Sequence, residues 1–239
     1  TRFVEVTSRE ELESAYTEDT AMVFIFGDAV DRGEISVKEM VESAHNHNVP
    51  VFVDAAAERP DVPNWYLEQG VDAVAYSGGK CLRGPQVSGL VLGREDLLKA
   101  AFANGCPNAA IGRPMKVGKE EIMGLLAAVE QWVRRDHQSE WKEWEKRLSV
   151  ISDSLSEIDS VNTSIAQPGR SNVAPCLFVS WDPAVVGIDG SGLREKLETG
   201  QPRVEMSVGE CQLSINPYMM EEGEDQQVAM RLKQIFSES

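Results

Sequence analysis

Lys80 closes the stretch Asp72-Ala73-Val74-Ala75-Tyr76-Ser77-Gly78-Gly79-Lys80, an apolar run of strand length ending in a small polar residue, two glycines and an amine. That order delivers the lysine from a tight turn at a strand's carboxyl end, where open α/β sheets keep their ligands. A lysine taken out of water has a lowered pKa, and its amine becomes available as a nucleophile or base. A Schiff-base lysine is the leading reading. A nucleotide phosphate loop needs a glycine five positions before Gly79 and a Ser or Thr after the lysine. Those positions hold Val74 and Cys81, which rejects it. The remaining alternative is a surface turn with Lys80 solvated.

The second residue with chemistry lies upstream, in Val49-Pro50-Val51-Phe52-Val53-Asp54. A continuous apolar run rich in β-branched residues reads as a strand buried on both faces, and it ends in a carboxylate. If this strand and the one before Lys80 are parallel neighbours, Asp54 and Lys80 emerge at the same sheet edge. A pyridoxal phosphate site needs that pair, a lysine to hold the aldehyde and a carboxylate to keep the pyridine nitrogen protonated. The other reading of Asp54 is a cap on the following helix.

Three stretches, "VPVFVDAAAERP", "DAVAYSGGKCLRGPQVSGLVLGR" and "IGRPMKVGKEEIMGLLAAVEQW", resemble the fold-type I pyridoxal phosphate enzymes. Within them they are most similar to the selenocysteine synthase group (L-seryl-tRNA(Sec) selenium transferases), in the branch with D-glucosaminate-6-phosphate ammonia-lyase. The likeness runs from near Val4 to about Trp132. It implies an aspartate aminotransferase-like large domain with a mainly parallel sheet and a small α+β carboxyl-terminal domain. It also implies pyridoxal 5'-phosphate as cofactor, Lys80 as the Schiff-base lysine, Asp54 on the ring nitrogen and Ser77 at the cofactor phosphate. A full-length relative is expected to carry a further first third ahead of Thr1. Selenocysteine synthases usually have an aspartate just before the lysine, where this chain has Gly79.

The elements that must position these residues alternate. Phe3 to Val6 reads as a short strand, Ser8-Arg9-Glu10-Glu11 as a capping box opening a helix, Ala21 to Phe26 as a buried strand, and Ile35 to Asn48 as a helix. With the Asp54 strand next, this is β-α-β alternation and a right-handed parallel sheet. Val87 to Gly93 reads as a strand, Glu95 to Ala103 as a helix, and Lys119 to about Leu148 as one long amphipathic helix. Strands at 161–167, 176–181, 203–208 and 211–215, with helices at 191–198 and 224–236, describe a small α+β unit. The expected division is residues 1–115 for the rest of the cofactor domain, 116–149 for the connecting helix and 150–239 for the small domain.

Arg83 and Arg113 are candidates for gripping an anionic substrate group, because a guanidinium fork matches carboxylate and phosphate. An ordinary salt bridge fits Arg83 equally well, and the motif match favours the functional reading for Arg113. The tryptophans at 132, 141 and 144 read as core or interface, and His45 and His47, two apart, do not share a helical face for a metal.

Across 239 residues the net charge is −16. That argues against broad contact with nucleic acid, which relies on clustered Lys and Arg. Four well-separated cysteines fit reduced thiols better than a disulfide framework or a zinc site. No apolar stretch is long enough to cross a membrane and no signal peptide is evident, so a soluble, cytoplasmic protein is expected. The likeness implies a lyase that deprotonates an amino acid or amino-sugar acid at the α-carbon, eliminates a β-group, and releases ammonia and a 2-oxo acid. It also implies a small anionic substrate and a homodimer or higher homo-oligomer. A selenium transferase on seryl-tRNA, and a truncated or non-catalytic relative, are the alternatives.

Overall fold

The computed structural model describes residues 1–27, 30, 32–170 and 173–238. The chain divides into two units, Thr1–Arg135 with Gly169–Val173, and Asp136–Pro168 with Ala174–Ser239.

In the first unit Ser8 opens α1 (Arg9–Ala15) and Ser36 opens α2 (Val37–Asn46), each through a capping box completed by Glu11 and Glu39. Strands β1 (Val23–Phe26), β2 (Val51–Asp54), β3 (Ala73–Ser77) and β4 (Gly89–Gly93) form one sheet in the order β1-β2-β3-β4. β1, β2 and β3 are parallel, and β4 is antiparallel to β3. The sheet is therefore mostly parallel, as expected. One face, with Ile25, Val51, Val53, Val74 and Tyr76, is buried in a core shared with Val37, Val41 and Ala44 of α2. On the other face Phe24, Phe26 and Val91 are exposed. The short helix α3 (Trp65–Glu68) is capped by Asn64, and α4 (Glu95–Asn104) follows β4.

The expected strand at Phe3–Val6 is absent. Phe3 and Val4 are exposed and pair with no ladder. The single long helix is also corrected, into α5 (Lys119–Arg134) and α6 (His137–Leu155). Arg135 is extended, and Asp136 caps α6 by accepting from the Ser139 amide at 3.0 Å.

In the second unit β5 (Val161–Ala166), β6 (Cys176–Trp181) and β7 (Gln212–Ile215) form an antiparallel sheet. Its core joins them to α6, to α7 (Pro183–Val186), to α8 (Gly190–Thr199) and to α9 (Glu224–Glu238) through Leu148, Ile151, Leu177, Leu193 and Leu232. The strand expected at 203–208 does not form. Val204 and Met206 pack on the core in strand-like alternation, but only Val208 makes a bridge, to Leu213. Alternation reports which side is buried, whereas a strand also needs a partner's backbone.

At the amino-terminal edge of the first sheet, Asp72 is 3% exposed. It accepts from the Val51 amide at 2.7 Å, Arg94 Nη1 at 2.7 Å and His45 Nε2 at 2.9 Å. One carboxylate thus ties α2, β2, β3 and the β4–α4 junction. Burial works against its charge, but the bonds from His45, Val51 and Arg94 outweigh burial and hold the pKa below the ordinary 3.8. A folded-state pKa lowered in this way contributes stability that is complete above the unfolded value and is lost as pH falls through the folded one. Urea midpoints should therefore fall as pH drops below 3.8 in wild type. Asp72→Asn should remove that part of the slope and cost about 2–3 kcal/mol at neutral pH, discounted for a half-exposed Arg94.

Candidate active site

Parallel pairing brings Phe26, Asp54 and Ser77, the last residues of β1, β2 and β3, to one edge. Asp54 lies opposite Ala75 in the register, so Asp54, Ala75 and Ser77 project from the same, open face. Ala75 between them has nothing beyond its β-carbon, which leaves a floor over which a flat ring can lie. Asp54 is half-buried, and its Oδ1 accepts from the Ala56 amide at 3.0 Å. The helix-cap reading of Asp54 fails, because Asn64 caps the next helix. Among the described residues no hydrogen bond to Asp54 Oδ2 is present.

Lys80 is exposed, in the loop 78–88 that joins β3 to β4. The loop is closed by its own bonds. The Gly78 amide donates to Ser88 O at 2.9 Å, the Gly84 amide to Gly78 O at 2.7 Å, and the Arg83 amide to Lys80 O at 2.9 Å. The side chains add Gln86 Nε2 to Gly79 O at 3.1 Å and Ser88 Oγ to Pro85 O at 2.6 Å. Cys81 and Leu82, 4% and 1% exposed, anchor the loop in the core directly after the lysine. The glycine pair is required by packing. A β-carbon at Gly79 would sit 2.6 Å from Gln86 Cα, and one at Gly78 2.9 Å from Leu125 Cδ1 of α5. The backbone that carries the lysine is thus fixed by the loop's own bonds. Asp54 and Ser77 on one open face, with Lys80 on the loop that follows the same strand, are residue types that fit pyridoxal phosphate.

The two candidate arginines sit apart in the chain. Arg83 is exposed in the lysine loop, with a left-handed backbone at φ 59°. Arg113 is exposed in the segment between α4 and α5, where its Nη1 lies 3.5 Å from Cys106 Sγ. His45 pairs with Asp72 and His47 with Glu13, and no described group of three metal-ligating side chains exists.

Sequence reasoning missed a buried charge beside the site. Glu58 is 2% exposed, accepts from the Tyr66 hydroxyl at 2.6 Å, and pairs with Arg170 Nε at 3.2 Å. An acidic residue directly after three alanines was a signal for Glu58. Arg170, 112 residues further on, carried none.

Residues 5–111 match the aminotransferase class-V family. A 5'-C-glycyluridine monooxygenase-decarboxylase from Streptomyces sp is 32% identical over 98% of this chain and 58% of that protein. D-glucosaminate-6-phosphate ammonia lyase from Salmonella typhimurium is 29% identical over 98% of this chain and 63% of that protein. An L-seryl-tRNA(Sec) selenium transferase from Aquifex aeolicus is 20% identical over 75% of this chain and 44% of that protein. The solved structure of D-glucosaminate-6-phosphate ammonia-lyase superposes with a TM-score of 0.75 at 27% identity, over 99% of this chain and 64% of that one. The chain therefore spans about three fifths of the first two relatives. With the class-V match over 5–111 and this fold, the chain resembles the fold-type I pyridoxal phosphate enzymes, in sequence and fold the ammonia-lyase and in sequence the selenium transferases.

Proposed function

We propose that this chain carries the catalytic half of a pyridoxal phosphate-dependent lyase that acts on an amino acid or amino-sugar acid. The observation that carries the reading is the placement of Asp54 and Ser77 on one open face of adjacent parallel strands, with Lys80 on the self-bonded loop that follows. When bound, the cofactor supplies an electron sink for charge left at the substrate's α-carbon. The chain's own residues do the rest. Lys80 would hold the cofactor aldehyde and would move the substrate's α-proton as general base. Asp54 keeps a proton on the ring nitrogen. The Ser77 hydroxyl donates to the cofactor phosphate, and Arg83 and Arg113 hold a carboxylate or phosphate of a small anionic substrate. Loss of a β-hydroxyl as water leaves an enamine, which tautomerises to an imine, and hydrolysis of that imine by water releases ammonia and a 2-oxo acid.

A selenium transferase on seryl-tRNA fits less well. The net charge is −16, and position 79 has no room for the aspartate expected of that group. No described helix is long and apolar enough to cross a membrane. The four free cysteines support a cytoplasmic setting, and the exposed Phe24, Phe26 and Val91 support a homodimer or higher homo-oligomer.

Purified chain mixed with pyridoxal phosphate should gain an absorption band at the edge of the visible, which borohydride makes permanent. Lys80→Ala should abolish both, and a colourless wild type with no trapped adduct would sink the proposal in favour of a non-catalytic relative. Asp54→Asn should keep the band but slow 2-oxo acid release from amino-sugar acid phosphates by about 100-fold or more, the scale of a lost proton-transfer partner. Gly79→Asp should lower stability by about 1–3 kcal/mol in urea titration and weaken cofactor binding, because its β-carbon must displace Gln86.

A further inference from the structure

The buried ion pair of Glu58 and Arg170 lies against the site's acid. A β-carbon added to Gly27, just beyond β1, would strike Glu58 Oε1 and lie 3.1 Å from the carbonyl oxygen of Asp54. The Glu58 carboxylate therefore sits at the carboxyl ends of β1 and β2, beside the strand end that presents Asp54. The turn Asp54-Ala55-Ala56-Ala57-Glu58 is pinned at both ends. At one end the Ala56 amide donates to Asp54 Oδ1, and at the other the Glu58 amide donates to Ala55 O at 2.9 Å while its side chain takes Tyr66 and Arg170.

Arg170 is held from several directions. Its Nη2 donates to Asp61 Oδ2 at 2.8 Å, and its guanidinium lies 4.0 Å from the centre of the Trp65 ring and 4.9 Å from that of Tyr66. A planar, delocalised cation stacked on an aromatic face and forked to two acids is a use lysine does not reproduce. Burial and the Glu58 bond push the Tyr66 hydroxyl well above its ordinary pKa, so it stays a donor. Residues 169–173 cluster with the first unit although the chain on either side belongs to the second. Arg170 with its four partners, and Val173 packed against the first unit's core, are among the contacts on that side.

We infer that Arg170 is a positioning residue for the proposed active site: through Glu58 it fixes the turn that aims the Asp54 carboxylate at the cofactor edge. This rests on the lyase reading for its chemical consequence, but not for its structural one. Without Arg170, Glu58 becomes a buried carboxylate with only Tyr66 left among these partners, and such a group moves toward water or takes up a proton. Either response loosens the turn and changes the charge beside Asp54.

The test uses the full chain with Arg170→Ala, Arg170→Lys, the double variant Glu58→Gln/Arg170→Ala, and Arg94→Ala. The last breaks a comparable pair on buried Asp72 at the opposite edge. Amide hydrogen exchange without cofactor should quicken about tenfold or more at residues 55–58 in Arg170→Ala, with Val53 still protected. Arg94→Ala should leave residues 55–58 as in wild type. Cofactor affinity should fall about tenfold in Arg170→Ala, with a shifted pH midpoint of the absorption band. Lysine should restore part of it, and the double variant should exceed Arg170→Ala because the neutral amide needs no counter-charge in place of the guanidinium. Unchanged exchange at 55–58 in Arg170→Ala, or equal effects from Arg94→Ala, would overturn the inference. A wild type that binds no cofactor would remove the lyase reading, and the exchange result would still decide the role of Arg170.

Discussion

The arrangement depends on the parallel backbone ladder between β2 and β3, in which Asp54 stands opposite Ala75. Side chains alternate faces with a period of two, so a slip of one residue would turn Asp54 into the core. Val53 and Val74, both fully buried, oppose that slip, because it would carry them to the open face. Apolar burial on one side of the sheet thus sets the register of the polar chemistry on the other.

Much of the first unit could be read from the chain because its signals are local. The apolar runs of β2 and β3 are continuous, Ser8 and Ser36 announce their helices by capping boxes, and the glycines before Lys80 mark a turn. The positions of Lys80 and Asp54 at strand ends were legible for the same reason, while Ser77 was singled out by the family resemblance. The break between α5 and α6 was not. Asp136 lies in a charged stretch where its capping bond to Ser139 has no contrast against neighbours that suit an exposed helix equally well.

The buried charges show where one-dimensional reading stops. Asp72 looked like the start of a strand, and only the fold shows that it gathers His45 from one helix, Val51 from the next strand and Arg94 from beyond the hairpin. Glu58 needs Arg170 in the same sense. Spacing along a chain reports periodicity within an element, and a charge compensated from a distant segment leaves no period. The two acids are similar in physics and opposite in place. Asp72 secures the edge away from the site, and Glu58 the edge that bears it.

The antiparallel return of β4 changes how the lysine arm comes into being. β3, loop 78–88 and β4 are contiguous in the chain, so their pairing closes only a short loop and costs little chain entropy. Joining β2 to β3 instead requires the crossover that contains α3. Non-local pairing of that kind is the slower event. The amine's support is therefore a pairing local in the chain, and the strand that brings the acid joins it through a pairing of longer sequence separation.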